Sequence, residues 1–277
     1  MTLEELQFIL KKHHLTPNKV RGQNFLVSDE VLGDIIKASE IISEDLILEV
    51  GPGLGALTQS LLEKAKQVVA FEIDKNFQKP LNKLINTFNN VELIWQNILS
   101  LSDQQWLEIL TKYKAKDYKI VANIPYYLTA KFIQKFILAD KKPLSMTLMV
   151  QKEVAERIAA EKGKHSRLSL SVALYADSKL ARIVRKDNFY PQPKVDSAVI
   201  HIFNIHTWDY DVDEKFVWQL IRRGFASKRK KLFNNLLTDQ NLDKEKLLFA
   251  FDKVRLDANV RAENLSPINW LELARNL

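Results

Sequence analysis

The sequence predicts an α/β protein, a parallel sheet covered on both faces by helices and followed by a small helical domain. Three observations predict it. Short apolar runs alternate with segments of helical spacing from residue 46 to residue 150. The first of these runs stops at the turn Gly51-Pro-Gly-Leu-Gly55, and from Asp213 onward only helical spacing remains. Alternation with short joints implies parallel neighbours, because parallel strands need a crossover and the crossover helix lies against a face of the sheet.

In chain order, Leu3, Leu6, Ile9 and Leu10 mark a first helix. Thr16-Pro17 leads into Lys19 to Leu26, which mixes basic, amide and aromatic groups without either period and reads as an ordered loop. Ser28-Asp29 caps a helix carrying Val31, Leu32, Ile35 and Ile36. Leu46 to Val50, apolar except for Glu49, suits a strand buried on both faces, and Leu57, Leu61, Leu62 and Ala65 continue as a helix after the glycines. A second strand, Gln67 to Phe71, runs into Glu72; a helix through Phe77, Leu81 and Leu84 precedes a third, Val91 to Trp95. A helix near Trp106 and Leu110 leads to a fourth strand, Tyr118 to Ala122, and then to Asn123-Ile-Pro-Tyr126; a helix over 130–138 and a strand over 146–150 follow.

Beyond Lys152 the pattern changes. Residues 168–176 read as a helix and 181–185 and 198–203 as strands, joined through Phe189-Tyr-Pro-Gln-Pro-Lys194, whose two prolines are expected to keep that joint out of sheet pairing. A boundary in 205–211 divides the chain into a domain of residues 1–207 and a helical domain of residues 208–277.

Composition narrows the function classes. A hydrophobic content of 46% and a charged content of 27% are those of an ordinary soluble globular protein. No run is long enough to span a membrane and the first residues lack the character of a signal peptide, so a cytoplasmic protein with no membrane partner is expected. With no cysteine there is no disulfide, thiolate metal site or Cys nucleophile, and the five scattered His have no metal spacing, so no metal is expected. The net charge of +7 favours a polyanionic partner. Arg222, Arg223, Lys228, Arg229, Lys230 and Lys231 lie in a stretch without an acid, which suits either phosphate contact or a solvated helix face.

The polar features gather at one edge. In parallel sheets the ligand site lies beyond the C-terminal strand ends, and Gly51, Glu72, the residues after Trp95 and Asn123 all fall there. Gly51, Gly53 and Gly55 differ from the dinucleotide fingerprint by the place of the third glycine, yet they still let a ligand approach the backbone. Glu72, at the tip of the neighbouring strand, has the position of a carboxylate that accepts hydrogen bonds from both ribose hydroxyls. A tight structural turn beside a surface Glu is the alternative. At Asn123 the side-chain oxygen, with the carbonyl of Ile124 or Pro125, suits the two hydrogens of an exocyclic base amine. Held so, the amine turns its lone pair toward an electrophile. Pro125 fixes the turn, and Tyr126 offers a face for a base taken out of its helix. The plain reading is a strand end with an Asn-Pro type turn and a core tyrosine.

These residues carry a family resemblance. Val50-Gly-Pro-Gly-Leu-Gly55 with Glu72, Asn123-Ile-Pro-Tyr-Tyr127, Gly22-Gln-Asn-Phe-Leu26 and Phe189-Tyr-Pro-Gln-Pro-Lys-Val-Asp-Ser197 resemble the ribosomal RNA adenine N6-dimethyltransferases that use S-adenosylmethionine. Gln151 to Arg157, Arg167 to Ser169 and Arg261-Ala-Glu-Asn-Leu-Ser266 resemble the small-subunit branch, whose substrate is 16S rRNA. The resemblance covers nearly the whole chain and implies a Rossmann-like methyltransferase sheet, with Asn24 and Leu26 closing over the cofactor, Gly51 and Gly53 under its methionine part and Glu72 on its ribose. It also implies that Asn123 orients the target N6 between Tyr126 and Phe189. Asn97 stands where the family usually has an aspartate for the cofactor adenine. Arg222, Arg223, Lys228, Arg229 and the loop Lys19 to Arg21 are then expected to contact phosphates, and a monomer is expected to act. Two rivals share these motifs, a large-subunit methyltransferase of the macrolide-resistance type and a non-catalytic rRNA-binding assembly factor. A small-molecule methyltransferase fits the glycine edge but leaves the basic run unexplained.

Overall fold

A computed structural model describes residues 1–18, 20–160, 164–238 and 242–277. The chain divides into two compact units, residues 1–155 with 177–205, and residues 156–176 with 206–277.

The first unit is built on a seven-stranded sheet. Its helices and strands in order are α1 (Leu3–Lys12), β1 (Phe25–Leu26), α2 (Asp29–Ala38), β2 (Leu46–Val50), α3 (Ala56–Leu62), β3 (Gln67–Phe71), α4 (Gln78–Thr87) and β4 (Val91–Ile94), then α5 (Asp103–Lys112), β5 (Lys119–Asn123), α6 (Thr129–Ile137), β6 (Ser145–Gln151), the start of α7 (Lys152–Ile158), which ends in the second unit, β7 (Asp177–Val184), β8 (Phe189–Tyr190) and β9 (Ser197–Phe203). The strand order is β4-β3-β2-β5-β6-β9-β7. The pairs from β4 to β6 are parallel, as the alternation predicts. β9 and β7 extend the sheet antiparallel, β9 in continuous register along β6 from Ser145↔Phe203 to Gln151↔Ser197. The chain winds outward from β2 through β3 to β4, then returns to place β5 on the other side of β2. This reversal opens a crevice beyond the ends of β2 and β5, where α/β sheets bind ligands.

All five residues of β2 are buried, so its apolar composition follows from cover on both faces. One layer packs Val31, Leu32 and Ile35 of α2 and Leu57, Leu61 and Leu62 of α3 against Ile47, Val68, Val121 and Met149 of the sheet. In another, Trp106 of α5 meets Tyr118 at 4.7 Å between ring centroids and Phe136 of α6 at 6.5 Å, both edge to face. Leu6 and Leu10 of α1 pack with Leu54, Phe77 and Leu81.

One expectation is corrected. The proline-containing joint does pair, because its first two residues, Phe189 and Tyr190, lie antiparallel to Leu26 and Phe25. Pro191 and Pro193 follow the paired residues, so neither removes a donor that this ladder needs. The second unit consists of residues 156–176 and 206–277, whereas the sequence reading placed 156–176 with the sheet domain. Tyr175 explains why. Its ring stacks on Trp218 at 6.4 Å and meets Trp208 at 5.5 Å, its hydroxyl accepts a hydrogen bond from Trp218 Nε1, and its carbonyl accepts the His206 N–H at 2.9 Å.

The rest of the second unit is helical: α8 (Arg167–Ala173), α9 (Glu214–Gly224), α10 (Leu232–Leu236), α11 (Lys244–Lys253) and α12 (Pro267–Arg275). Trp270 of α12 is fully buried against the end of α9, and a Cβ on Gly224 would lie 2.4 Å from its ring, so that helix must end in glycine. Asn235 is buried and donates to the carbonyls of Gly224 at 2.6 Å and Ser227 at 3.1 Å. It thereby fixes the turn that carries Lys228 and Arg229.

Candidate cofactor and base-binding site

The cavity at the crevice is lined by the ends of β2, β3 and β5, the residues after β4, and the segment from Arg21 to Leu26. Gly51, Gly53 and Gly55 all have positive φ, +69°, +58° and +86°, but only at the first would a side chain meet open space. A Cβ on Gly51 would meet nothing within 4 Å. On Gly53 it would lie 3.1 Å from the Phe25 ring, and on Gly55 2.2 Å from Leu84, so the third glycine serves the packing of α3 against α4.

Glu72 is buried at the tip of β3 and accepts N–H groups from Gly53 at 3.2 Å and from Ile73 and Asp74 at 2.8 Å each. Burial raises its pKa, while these three donors oppose the rise. The carboxylate is therefore fixed in place at the cavity wall. Asn97 follows β4 and also lines the cavity; its Oδ1 accepts the Leu99 N–H at 3.0 Å and caps a short 3₁₀ turn. A carbonyl oxygen has two lone pairs, so one acceptor site remains.

Asn123 closes β5. Its Nδ2 donates to the Asn24 carbonyl at 3.3 Å, which turns Oδ1 away as the free end of the amide among the described residues. Asn24 is held in turn by its own Nδ2, which donates to the Gly22 carbonyl at 3.3 Å. The Pro125 carbonyl already accepts the Leu128 N–H at 2.9 Å, so of the two carbonyls considered from sequence, Ile124 is the better second acceptor. Tyr126 is half-buried, its hydroxyl 2.7 Å from Ser197 Oγ on β9, and burial raises its pKa. Phe189 and Leu26 line the same cavity but lie mostly in the core with Leu32 and Leu57; Phe189 is only 4% exposed, less than the half-buried Tyr126.

The structure thus brings together Asn24, Leu26, Gly51, Gly53, Glu72, Asn97, Asn123, Pro125, Tyr126 and Phe189 around one cavity. The basic residues lie in the second unit: Arg222 and Arg223 in the last turn of α9, with Lys228 and Arg229 exposed just beyond. Arg21 forms a 2.9 Å ion pair with Asp74, and Lys19 lies outside the described residues. Among the described residues no cluster of His, Asp and Glu could hold a metal, and no helix is long and apolar enough to cross a membrane.

Sequence reasoning missed Glu49 as a site residue. It is 1% exposed, lines the cavity, and leaves Oε2 without a hydrogen-bond partner. Burial foremost pushes its pKa up to about 8, with the Glu72 charge adding to the rise; Thr58 opposes it, although Thr58 Oγ1 makes no hydrogen bond of normal geometry. Its polar character within an apolar strand was the available signal. An orphaned carboxyl at the cavity floor suits a cationic group such as the ammonium of an amino acid. Open backbone at Gly51, a fixed acid at Glu72 and this carboxyl are the donor and acceptor set that an amino-acid nucleoside needs.

Residues 15–277 match the family described as ribosomal RNA adenine dimethylase. The chain is 38% identical over 266 residues to the ribosomal RNA small subunit methyltransferase A of Dehalococcoides mccartyi (strain CBDB1), covering 96% of this chain and 90% of that one. A dimethyladenosine transferase from Plasmodium falciparum superposes with a TM-score of 0.71 at 27% identity, covering 90% of this chain and 95% of that one. The 23S rRNA methyltransferase ErmE superposes with the same TM-score at 22% identity over 92% of this chain and 99% of that one, a likeness of fold.

Proposed function

Because the chain belongs to the ribosomal RNA adenine dimethylase family, we propose that it transfers methyl groups from S-adenosylmethionine to N6 of adenines in small-subunit 16S rRNA, two to each amine. One observation carries the reading to this chain: Asn123 is tied back through its Nδ2, so its Oδ1 is presented to the cavity that also holds Glu49, Gly51 and Glu72.

S-adenosylmethionine, when bound, supplies an electrophilic methyl group on its sulfonium. Glu72 would hold the ribose hydroxyls, Glu49 the ammonium, Gly51 and Gly53 the methionine backbone, and Asn97 the adenine amine. Asn24 and Leu26 would close the near side. At the other end, Asn123 Oδ1 and the Ile124 carbonyl accept the two hydrogens of the target amine, which directs its lone pair out of the ring plane. Tyr126 stacks on the base, held at its hydroxyl by Ser197, and Phe189 confines the far side. After the first transfer one N–H remains, and one of the two acceptors still orients it. As the N–C bond forms the methyl–sulfur bond breaks, and the sulfur would leave as a neutral thioether. The methylated amine then releases one proton to solvent, so alignment and exclusion of water during attack do the work and no side-chain base is required. The basic run from Arg222 to Lys231 would bind phosphates of the RNA.

The test is transfer of labelled methyl from S-adenosylmethionine to unmethylated small subunits, with large subunits alongside, followed by nucleoside analysis. Label in N6,N6-dimethyladenosine from small subunits alone is expected. Label from large subunits would assign the chain to the resistance type, and cofactor binding without transfer to either would favour an assembly factor.

A further inference from the structure

Asp74 links the residues after β3 to the segment that precedes β1. It is 8% exposed and lies two residues after Glu72, to whose Oε1 its own N–H donates. Its Oδ1 accepts the Asn76 N–H at 3.2 Å and so caps the 3₁₀ turn 75–77. Its Oδ2 faces the loop that precedes β1, accepting Gln23 Nε2 at 2.9 Å and pairing with the Arg21 guanidinium at 2.9 Å. Gln23 is a knot in that loop, because its Oε1 accepts the Asn18 N–H at 2.7 Å and its own N–H donates to the Asn18 carbonyl at 3.2 Å. One residue on, the Asn24 carbonyl accepts the Asn123 amide. Phe25 then packs edge to face on Phe77 at 5.8 Å, at the end of the turn that Asp74 caps. Hydrogen bonds therefore link Glu72 to Asp74 and Asp74 to Gln23, and after the one peptide step from Gln23 to Asn24 a further hydrogen bond reaches Asn123.

We propose that Asp74 is a positioning residue that latches the 20–26 segment through Gln23 and Arg21, so that one carboxylate sets both the cofactor edge and the orientation of Asn123. The role rests on the methyl-transfer reading for its catalytic consequence, not for the latch itself. The contacts are charge-assisted, and the Asp74 carboxylate that receives them is largely buried while Arg21 is partly exposed, so the Gln23 bond is the one whose loss is felt most. Loosening them frees the loop at Asn24, and Asn123 loses the acceptor that fixes which end of its amide faces the target.

Asp74→Asn separates the latch from the cap. The retained oxygen still receives the Asn76 N–H, while the new amide nitrogen confronts two donors, Gln23 Nε2 and Arg21. Gln23→Glu in the same chain reverses the second partner: one oxygen keeps the Asn18 N–H, and the other accepts from the amide introduced at position 74 and faces Arg21. Three readouts apply to the full chain: hydrogen exchange of the amides over 20–26, affinity for S-adenosylhomocysteine by calorimetry, and kcat on unmethylated small subunits. Asp74→Asn is expected to speed exchange in the loop, weaken S-adenosylhomocysteine about tenfold and lower kcat about tenfold, the loss of a charge-assisted bond. The double variant is expected to recover most of all three. A single variant that lowers only thermal stability, or a double variant no better than the single, overturns the latch. If the wild type methylates neither particle, the methyl-transfer reading fails while exchange and affinity still decide the latch.

Discussion

Glu49 makes the stability of this protein depend on pH in a direction opposite to that of most carboxylates. Its folded-state pKa is about 8 against an ordinary 4.5, because burial disfavours the charged form. Between these values the folded protein holds a proton that the unfolded chain has released. The contribution of this group is thus fully present below pH 4.5 and is lost as the pH rises through 8, at up to about 1.4 kcal/mol per pH unit. Glu49→Gln keeps the shape and the hydrogen-bonding size without titrating. Its advantage over wild type is expected to grow by about 2 to 3 kcal/mol between pH 5.5 and 7.5, a difference in which the other titrating groups, Glu72 among them, largely cancel. Urea unfolding of both proteins at several pH values gives the two curves. Saturating S-adenosylmethionine should flatten the wild-type slope, since a cation beside Glu49 restores its ordinary ionisation. Parallel stability curves over that pH range without ligand would show that Glu49 is charged in the folded protein, and the account of the cavity floor would fall with it.

Three other predictions concern the site. Asn97→Asp keeps the cap on Leu99 and adds a charge, so it should tighten S-adenosylmethionine binding roughly threefold to tenfold in calorimetry; equal or weaker binding would place the adenine elsewhere. Ser197→Ala removes the partner of the Tyr126 hydroxyl and should lower kcat several-fold with unchanged cofactor affinity, and combining it with Tyr126→Phe should add little. Replacing Arg222, Arg223, Lys228 and Arg229 by alanine should reduce the slope of log affinity for RNA against log salt by roughly three; an unchanged slope means that these side chains meet no phosphate.

The parallel part of the sheet was legible because its signals are local. Five buried residues at β2 leave no room for alternation, and the glycine turn, the helix after it and Glu72 follow within a few residues. The Asn123 to Tyr126 set was legible because few structural demands place an amide, a proline and an aromatic ring together at a strand end. The pairing of Phe25-Leu26 with Phe189-Tyr190 was not, since two residues carry no period and their partners lie more than 160 positions away. The place of 156–176 was hidden for a similar reason: Tyr175 looks like any aromatic at the end of a helix until Trp208 and Trp218 surround it.

By itself, then, the sequence determined the α/β class, the sheet edge that bears the site and the chemistry that the side chains there can perform, all of which depend on residue type and short spacing. Tertiary structure decided which groups are free to act. It showed that Glu72 is already held by three backbone donors, that Gly55 serves packing and Gly51 the cavity, that Glu49 is buried without a partner, and that Asn123 turns its oxygen outward because Asn24 holds its nitrogen. Burial and hydrogen-bond partnership arise only when distant segments meet, and they set the charge and orientation on which the reaction depends.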